Sequence, residues 1–245
     1  DLAESRSAMT RALCDRIDAI ESFAADVAHE LKNPLTSLKS AIEMFNRAKD
    51  DASREKLMEV VRNDVRRIDR LISDISDASR LDAELSREAH NPVDLNHLLE
   101  TIVEVYKFME IPRGVTISLT SELPPGTTVL GLDERLGQIF RNLIDNAVSF
   151  SPDNTIISIV ARVEGGRALV SVADEGPGIP PDNLESVFSR FYTERPAEHG
   201  FGKNSGLGLS IARQIAEGAN GCIWAENREP NGARFVVELP LARAT

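Results

Sequence analysis

Three segments of this sequence combine residue types at spacings that could do chemistry. The first is His29-Glu30-Leu31-Lys32-Asn33-Pro34. A neutral imidazole nitrogen is a competent nucleophile near pH 7, and a neighbouring carboxylate can accept its proton or hold the needed tautomer. Taken alone, an exposed histidine on a helix is also an ordinary surface residue. The second is Asp174-Glu175-Gly176-Pro177-Gly178-Ile179, an acid at the end of an apolar run and then two glycines. Glycine lets backbone approach a ligand closely, but the same string also serves as a plain turn. The third, Asn204-Ser205-Gly206-Leu207-Gly208-Leu209-Ser210, opens a helix and leaves backbone N–H groups free to cradle phosphate. Upstream, Gln138, Asn142, Asn146 and Ser149 recur at steps of four and three, which fits a polar cavity and a solvated helix face equally well.

These residues need elements to position them, and composition divides the 245 residues in two. None of the 15 Gly precedes Gly114, and of the 12 Pro only Pro34 precedes Pro92. A stretch so poor in turn residues, with regular apolar positions, predicts long helices. Leu13, Ile17, Ile20, Ala24, Val27, Leu31, Pro34, Leu38, Ala41 and Phe45 alternate by four and three as an a/d seam. Asp50-Asp51-Ala52-Ser53 interrupts it with capping residues, and Leu57, Val61, Val65, Ile68, Leu71, Ile75 and Ala78 continue on a second helix. The expected unit is a helical hairpin, and because one hairpin buries little, two copies pairing into a four-helix bundle are expected. His29 falls at an f position, facing away from the seam. Pro34 costs ~3 kcal/mol or more inside a helix, so a bend is expected beside the histidine.

Beyond Pro92 the runs shorten. Strands are predicted at 115–119, 155–163, 167–173, 221–225 and 233–239, helices near 94–109, 133–149 and 206–217, and a hairpin turn at Glu164-Gly165-Gly166. Asp133 is read as an N-cap. Mixed order predicts an α+β sandwich with helices on one face of the sheet. The net charge of −11 argues against nucleic acid as a partner. Cys14 and Cys222 are read as reduced packing residues. No apolar run approaches the ~18–20 residues of a membrane span.

Phe23-Ala24-Ala25-Asp26-Val27-Ala28-His29-Glu30-Leu31-Lys32-Asn33-Pro34-Leu35-Thr36 resembles the H-box of the sensor histidine kinases of two-component systems. The paired Asn, then Asp-x-Gly-x-Gly, then Phe188-x-x-Phe191-Tyr192, then Gly-Leu-Gly-Leu resemble, in order, the N, G1, F and G2 boxes of their catalytic domain. That domain is the Bergerat-type fold shared with gyrase, Hsp90 and the mismatch-repair ATPases. Met9-Thr10 and Arg16-Ile17-Asp18-Ala19-Ile20-Glu21, together with the H-box, resemble membrane sensors of the alphaproteobacterial ChvG type.

The resemblance implies a signalling helix at 1–22, a dimerisation and histidine phosphotransfer domain at 10–83, a linker at 84–93 and an ATP-binding domain at 94–245. It implies His29 as phospho-acceptor, Glu30 as its base, and Asn33 orienting water when a regulator is dephosphorylated. ATP and Mg²⁺ are the implied cofactors, with Asn142 and Asn146 at the metal and phosphates. Asp174 is expected to accept from the adenine amine, Gly176 and Gly178 to shape the base pocket, and Gly206, Leu207 and Gly208 to meet the phosphates. An ATP lid is expected between Phe191 and Ser205, hinged at Gly200 and Gly202. Asn204, Ser149 and Thr193 depart from the common pattern, leaving Arg190, Arg195 or Lys203 to supply lid charge.

The expected function is ATP-dependent autophosphorylation of His29, transfer to an aspartate of a response regulator receiver domain, and phosphatase activity on that regulator. The expected setting is the cytoplasmic portion of an inner-membrane sensor, as a homodimer. The rival readings are a degenerate dimeric scaffold and an ATPase of the gyrase and Hsp90 kind that forms no phosphohistidine.

Overall fold

The structure, a computed structural model, describes residues 2–48, 50–87, 91–109, 111–192 and 205–242. The chain forms two compact units that divide between Ile75 and Ser76.

The first unit is a helical hairpin. Helix α1 spans Leu2–Phe45 and helix α2 spans Asp51–Arg87, so α2 runs on past the division. Asp50 builds the turn: its Oδ1 accepts from the Ser53 backbone N–H at 2.7 Å and its Oδ2 from the Ser53 hydroxyl at 2.8 Å. The first satisfies an orphan N–H of the new helix, and together they hold the Asp50 carboxyl below its usual range. Along α1, Pro34 and Ala41 are buried and Val27, Leu31, Leu38 and Phe45 half-buried, while on α2 Leu71 is fully buried. The helix assignment continues through Pro34. Val65, placed in the seam by its spacing, is 53% exposed, and Ile17 and Ile20 are exposed too. Two helices can cover only one stripe of each other, so the rest of a wide apolar surface stays open in one chain. The side chains of Leu13 and Cys14 lie outside the described residues.

The second unit carries strands β1 (Asn91–Asp94), β2 (Thr116–Ser121), β3 (Thr128–Gly131), β4 (Ile156–Glu164), β5 (Arg167–Ala173), β6 (Cys222–Asn227) and β7 (Ala233–Pro240). Its helices are α3 (Leu95–Phe108), α4 (Asp133–Phe150) and α5 (Gly208–Gly218). Five strands form a mixed sheet in the order β2-β4-β5-β7-β6, parallel only between β2 and β4. Strands β4 and β5 meet through Gly165 and Gly166, both at positive φ, with Glu164 paired to Arg167, a two-residue turn that suits the strand twist. Register aligns Ile159 with Val172 and Val172 with Phe235, and Val170 with Val237 and Val237 with Ile223. All are buried on one face, over which α3, α4 and α5 pack, as the alternation predicts.

Two expectations change. Strands β1 and β3 pair antiparallel in a small separate sheet that the sequence reading lacks, because each is only 4 residues long. Asp133 is the first residue of α4, whose N-cap is Leu132 with no side-chain cap bond; its charge still lies in the favourable first turn. The side-chain cap is found instead on α3, where Asp94 accepts from the His97 N–H at 3.1 Å.

Candidate functional site

The hairpin displays the first set of residues on α1. His29 and Asn33 are exposed, as the f position of the histidine predicts, and Glu30 is half-buried one residue round the helix. Arg67 of α2 reaches Glu30 Oε2 at 2.9 Å, with side chains only 15% and 18% exposed. The sequence reading left Arg67 out, because its partner is 37 residues away and no local pattern connects them. Glu30 therefore has a fixed carboxylate, and His29 beside it has a ring open to solvent.

In the second unit the nucleotide-type motifs gather at one end of the sheet and along α4. Asp174 continues β5: its N–H donates to the Ala233 carbonyl at 2.9 Å. Its side chain is 2% exposed, and a single oxygen, Oδ1, accepts from the Gly176 N–H at 2.8 Å and the Ala233 N–H at 3.1 Å. Burial pushes this carboxyl above its usual range, against the opposing pull of the two N–H groups and the Arg228 guanidinium. A buried acid with one oxygen already saturated is suited to receive a donor from a ligand on the other.

The glycines around it are there for space. A Cβ on Gly176 would sit 2.8 Å from the Phe150 carbonyl oxygen and 2.9 Å from Asp174 Oδ1. Gly178 has φ +79°, and a Cβ there would meet Asn227 Oδ1 at 2.9 Å. Gly232 at φ +110° lies directly against the Asp174 carbonyl. Asn227, Arg228 and Gly232 were missed in the sequence, although Pro230-Asn231-Gly232 is a turn signal. What makes them part of the site is sheet topology.

Asn142 and Gly208 come together across 66 positions: Asn142 Nδ2 donates to the Gly208 carbonyl at 2.9 Å, which leaves Asn142 Oδ1 as an acceptor. Asn146 stands half-buried one turn along α4. Asp145, between them, accepts a 2.5 Å hydrogen bond from the hydroxyl of buried Tyr106 on α3, which fixes the rotation of α4. Burial and the Asp145 charge raise the Tyr106 phenol well above its usual range. Gln138 belongs to a different network, with Arg135 donating to it at 2.7 Å and its own amide donating to Asp77 at 3.3 Å. The polar α4 face is thus divided: Gln138 belongs to a side-chain network, Asn142 is tied to the start of α5, and Asn146 is half-buried beside it.

At the start of α5, Gly206 has φ +77°, and a Cβ there would strike the Phe191 backbone at 2.8 Å. The Phe191 N–H donates to the Gly206 carbonyl at 2.9 Å. Leu207 has its side chain fully buried, and its N–H donates to Ser205 Oγ at 3.1 Å, so it anchors the turn from the core. Phe188 is buried edge-on to Phe235 with Arg213 over its ring at 4.1 Å, a core anchor. Residues 193–204, which include the expected hinges Gly200 and Gly202, Thr193, Asn204 and the charges Arg195 and Lys203, lie outside the described residues. Cys222 is exposed, not a packing residue. Among the described residues no cluster of three or more His, Cys, Asp or Glu could hold a metal ion, and no helix is long and apolar enough to cross a membrane.

Two family descriptions match consecutive parts of the chain. Residues 19–84 match the His Kinase A (phospho-acceptor) domain, and residues 131–243 match the histidine kinase-, DNA gyrase B- and HSP90-like ATPase. Sensor protein ChvG of Agrobacterium fabrum is 51% identical over 96% of this chain and 41% of its own length. The Rhizobium meliloti protein of the same name is 49% identical over 95% of the chain and 42% of its length. The chain thus spans about two fifths of the length of these curated relatives. Among solved structures, the catalytic domain of histidine kinase ThkA is 30% identical, covering 62% of this chain and 96% of that one, with a TM-score of 0.55. ThkA in complex with response regulator protein TrrA covers 93% of this chain and 64% of that one at 28% identity, with a TM-score of 0.73. The chain belongs to the histidine kinase family, among the ChvG-type sensor kinases.

Proposed function

We propose that this chain autophosphorylates His29 with the γ-phosphoryl group of ATP and passes the group to an aspartate of a response regulator. The observation that carries the reading is the exposure of His29 on a helix whose other face is packed, in a chain that also holds the buried Asp174 among close-fitting glycines. A nucleophile must be reachable, and a base pocket must be dry and shaped.

The donor set fits the nucleotide and its metal. Asp174 would accept from the exocyclic amine of adenine, and Gly176 and Gly178 leave room for the base. The first N–H groups of α5, at Gly208 and beyond, have no partner within the helix and would face phosphate, with the helix dipole favouring the negative charge. Asn142 and Asn146 carry amide oxygens, hard ligands suited to Mg²⁺, which generally also keeps waters and phosphate oxygens. When bound, the metal would supply charge neutralisation at the phosphates. The chain's own residues do the rest by positioning. His29 attacks phosphorus with one ring nitrogen, the bond to the ADP oxygen breaks, and Glu30 takes up or orients the proton on the ring. Arg67 keeps the Glu30 carboxylate in place. Asn33, exposed one turn from His29, would orient a water when the regulator is dephosphorylated.

The apolar positions left open on the hairpin, among them Leu35, Ile42, Val65 and Ile72, support a homodimer through a second hairpin. The relatives' description as sensors supports reading the chain as the cytoplasmic portion of a membrane sensor, and the ThkA complex supports a response regulator as partner.

The test is incubation with γ-labelled ATP and then with a regulator. Wild type is expected to gain an acid-labile label that His29→Gln lacks, and Asn33→Ala is expected to label normally but to slow regulator dephosphorylation. Absence of acid-labile label on wild type refutes the kinase reading and leaves the scaffold. Equal phosphate release by wild type and His29→Gln without any phosphoprotein points to a plain ATPase.

A further inference from the structure

The far end of the sheet contains a side-chain clasp that the reading above does not use. Strand β7 begins at Ala233, which pairs with Asn227, the last residue of β6. Past that rung, among the described residues, no strand lies between the loop after β5 and the end of β6. Asn227 joins them. Its Oδ1 accepts from the Ile179 N–H at 2.8 Å, and its Nδ2 donates to the Ile179 carbonyl at 2.7 Å. One carboxamide thus substitutes for a missing strand, pairing with both polar groups of a single residue.

The next residue holds the other end of the same loop. Arg228 Nη1 donates to the Asp174 carbonyl at 2.9 Å, while its own N–H closes the turn by donating to the Gly232 carbonyl at 2.9 Å. Asp174 and Ile179 bound the segment that carries Gly176 and Gly178. The clasp closes only because residue 178 is glycine, since a Cβ there would lie 2.9 Å from Asn227 Oδ1. Asn227 is exposed, so burial does not demand these bonds. What they accomplish is to tie the loop after β5 to the end of β6.

We propose that Asn227 and Arg228 are positioning residues of the base pocket, which fix both ends of Asp174–Ile179 so that the Asp174 carboxylate meets the exocyclic amine of adenine. The proposal rests on the reading of Asp174 as the base acceptor. It makes base selectivity depend on two side chains that never touch the nucleotide. Inosine triphosphate is the discriminating probe, because it presents a carbonyl oxygen where ATP presents an amine, and gains nothing from a correctly placed carboxylate.

The experiment measures dissociation constants of ATP and ITP on the full chain, by displacement of a fluorescent trinitrophenyl-ATP. Wild type is expected to prefer ATP. Asn227→Ala is expected to weaken ATP about tenfold, the worth of one to two hydrogen bonds, and ITP less than about twofold, so that selectivity collapses. Asn227→Asp keeps the acceptor for the Ile179 N–H but turns an oxygen toward the Ile179 carbonyl. It is expected to lose selectivity as well, and carries the test should the alanine variant fold poorly. Arg228→Gln is expected to act in the same direction. ATP affinity within twofold of wild type in both Asn227 variants overturns the proposal, as does equal weakening of ATP and ITP, which would mark a general loss of structure. A wild type that binds ATP and ITP equally overturns the reading of Asp174 and the clasp with it. A selective wild type with unaffected Asn227 variants overturns the clasp alone.

Discussion

Asp174→Asn separates function from stability in a way the geometry makes quantitative. The substitution keeps shape, and Asn Oδ1 can still accept from the Gly176 and Ala233 N–H groups that now lie 2.8 and 3.1 Å from the carboxylate. It removes a charge from a site that is 2% exposed. Burial raises the Asp174 pKa in spite of its two hydrogen bonds and Arg228, so all interactions together disfavour the ionised form in the fold. The sign follows by linkage. With a raised folded pKa, the native state binds more protons than the unfolded state above the ordinary carboxylate value of about 3.9, so stability falls as pH rises through that window. The stability of the asparagine variant relative to wild type is therefore expected to grow over the same window and then level off, leaving the variant at least as stable at pH 7.

Nucleotide binding moves the opposite way. The carboxylate loses its place as acceptor of a charge-assisted bond worth about 1.5–3 kcal/mol, and the new amide N–H₂ faces the N–H₂ of adenine, so affinity for ATP is expected to fall by roughly ten- to 150-fold. Calorimetric titration of the full chain with ATP, together with thermal unfolding from pH 4 to 8, measures both quantities on the same samples. A variant that binds ATP within threefold of wild type refutes the role of Asp174. One that loses binding and is also less stable at pH 7 refutes the burial argument.

Gly176→Ala places a methyl group against the Phe150 carbonyl and the Asp174 carboxylate, and is expected to cost about 1–3 kcal/mol in denaturant unfolding and to abolish ATP binding, whereas restored binding at full stability would show the loop to be looser than described. Tyr106→Phe removes the donor to Asp145 and is expected to cost about 1 kcal/mol. Because the Tyr106 phenol is pushed well above its usual range, the same substitution is expected to leave the native alkaline absorbance titration unchanged, and a missing tyrosinate step would contradict its burial. As the sign requires for a raised pKa, the stability this phenol contributes is present at low and neutral pH and is lost only at strongly alkaline pH.

How far the site could be read ahead varied with the range of the interaction involved. Asp50-Asp51-Ala52-Ser53 announced the hairpin because capping works over three residues, and the Gly165-Gly166 turn was visible because two positive-φ residues must be adjacent. All five strands of the larger sheet were legible as short apolar runs, several of them alternating. Strands β1 and β3 were not, since 4 residues supply too little pattern and their pairing joins distant segments. Asn142 shows the limit in a single residue. Its spacing fitted both a cavity and a solvated face, and its bond to the Gly208 carbonyl, 66 positions away, could not be read from spacing at all.

By itself the sequence determined the glycine-free helical rod with His29 on its open side, the mixed α/β unit, and the glycines that an unhindered loop requires, because periodicity, capping and steric allowance act between near neighbours. Only the tertiary structure decided that Arg67 holds Glu30, that Tyr106 steadies Asp145, that Leu207 serves the core, and that Asn227 and Arg228 clasp the Asp174 loop. Those partners lie 37 to 54 positions apart; the fold-back of α2 on α1 brings Arg67 to Glu30, and strand order and the packing of helices on one face of the sheet bring the others together.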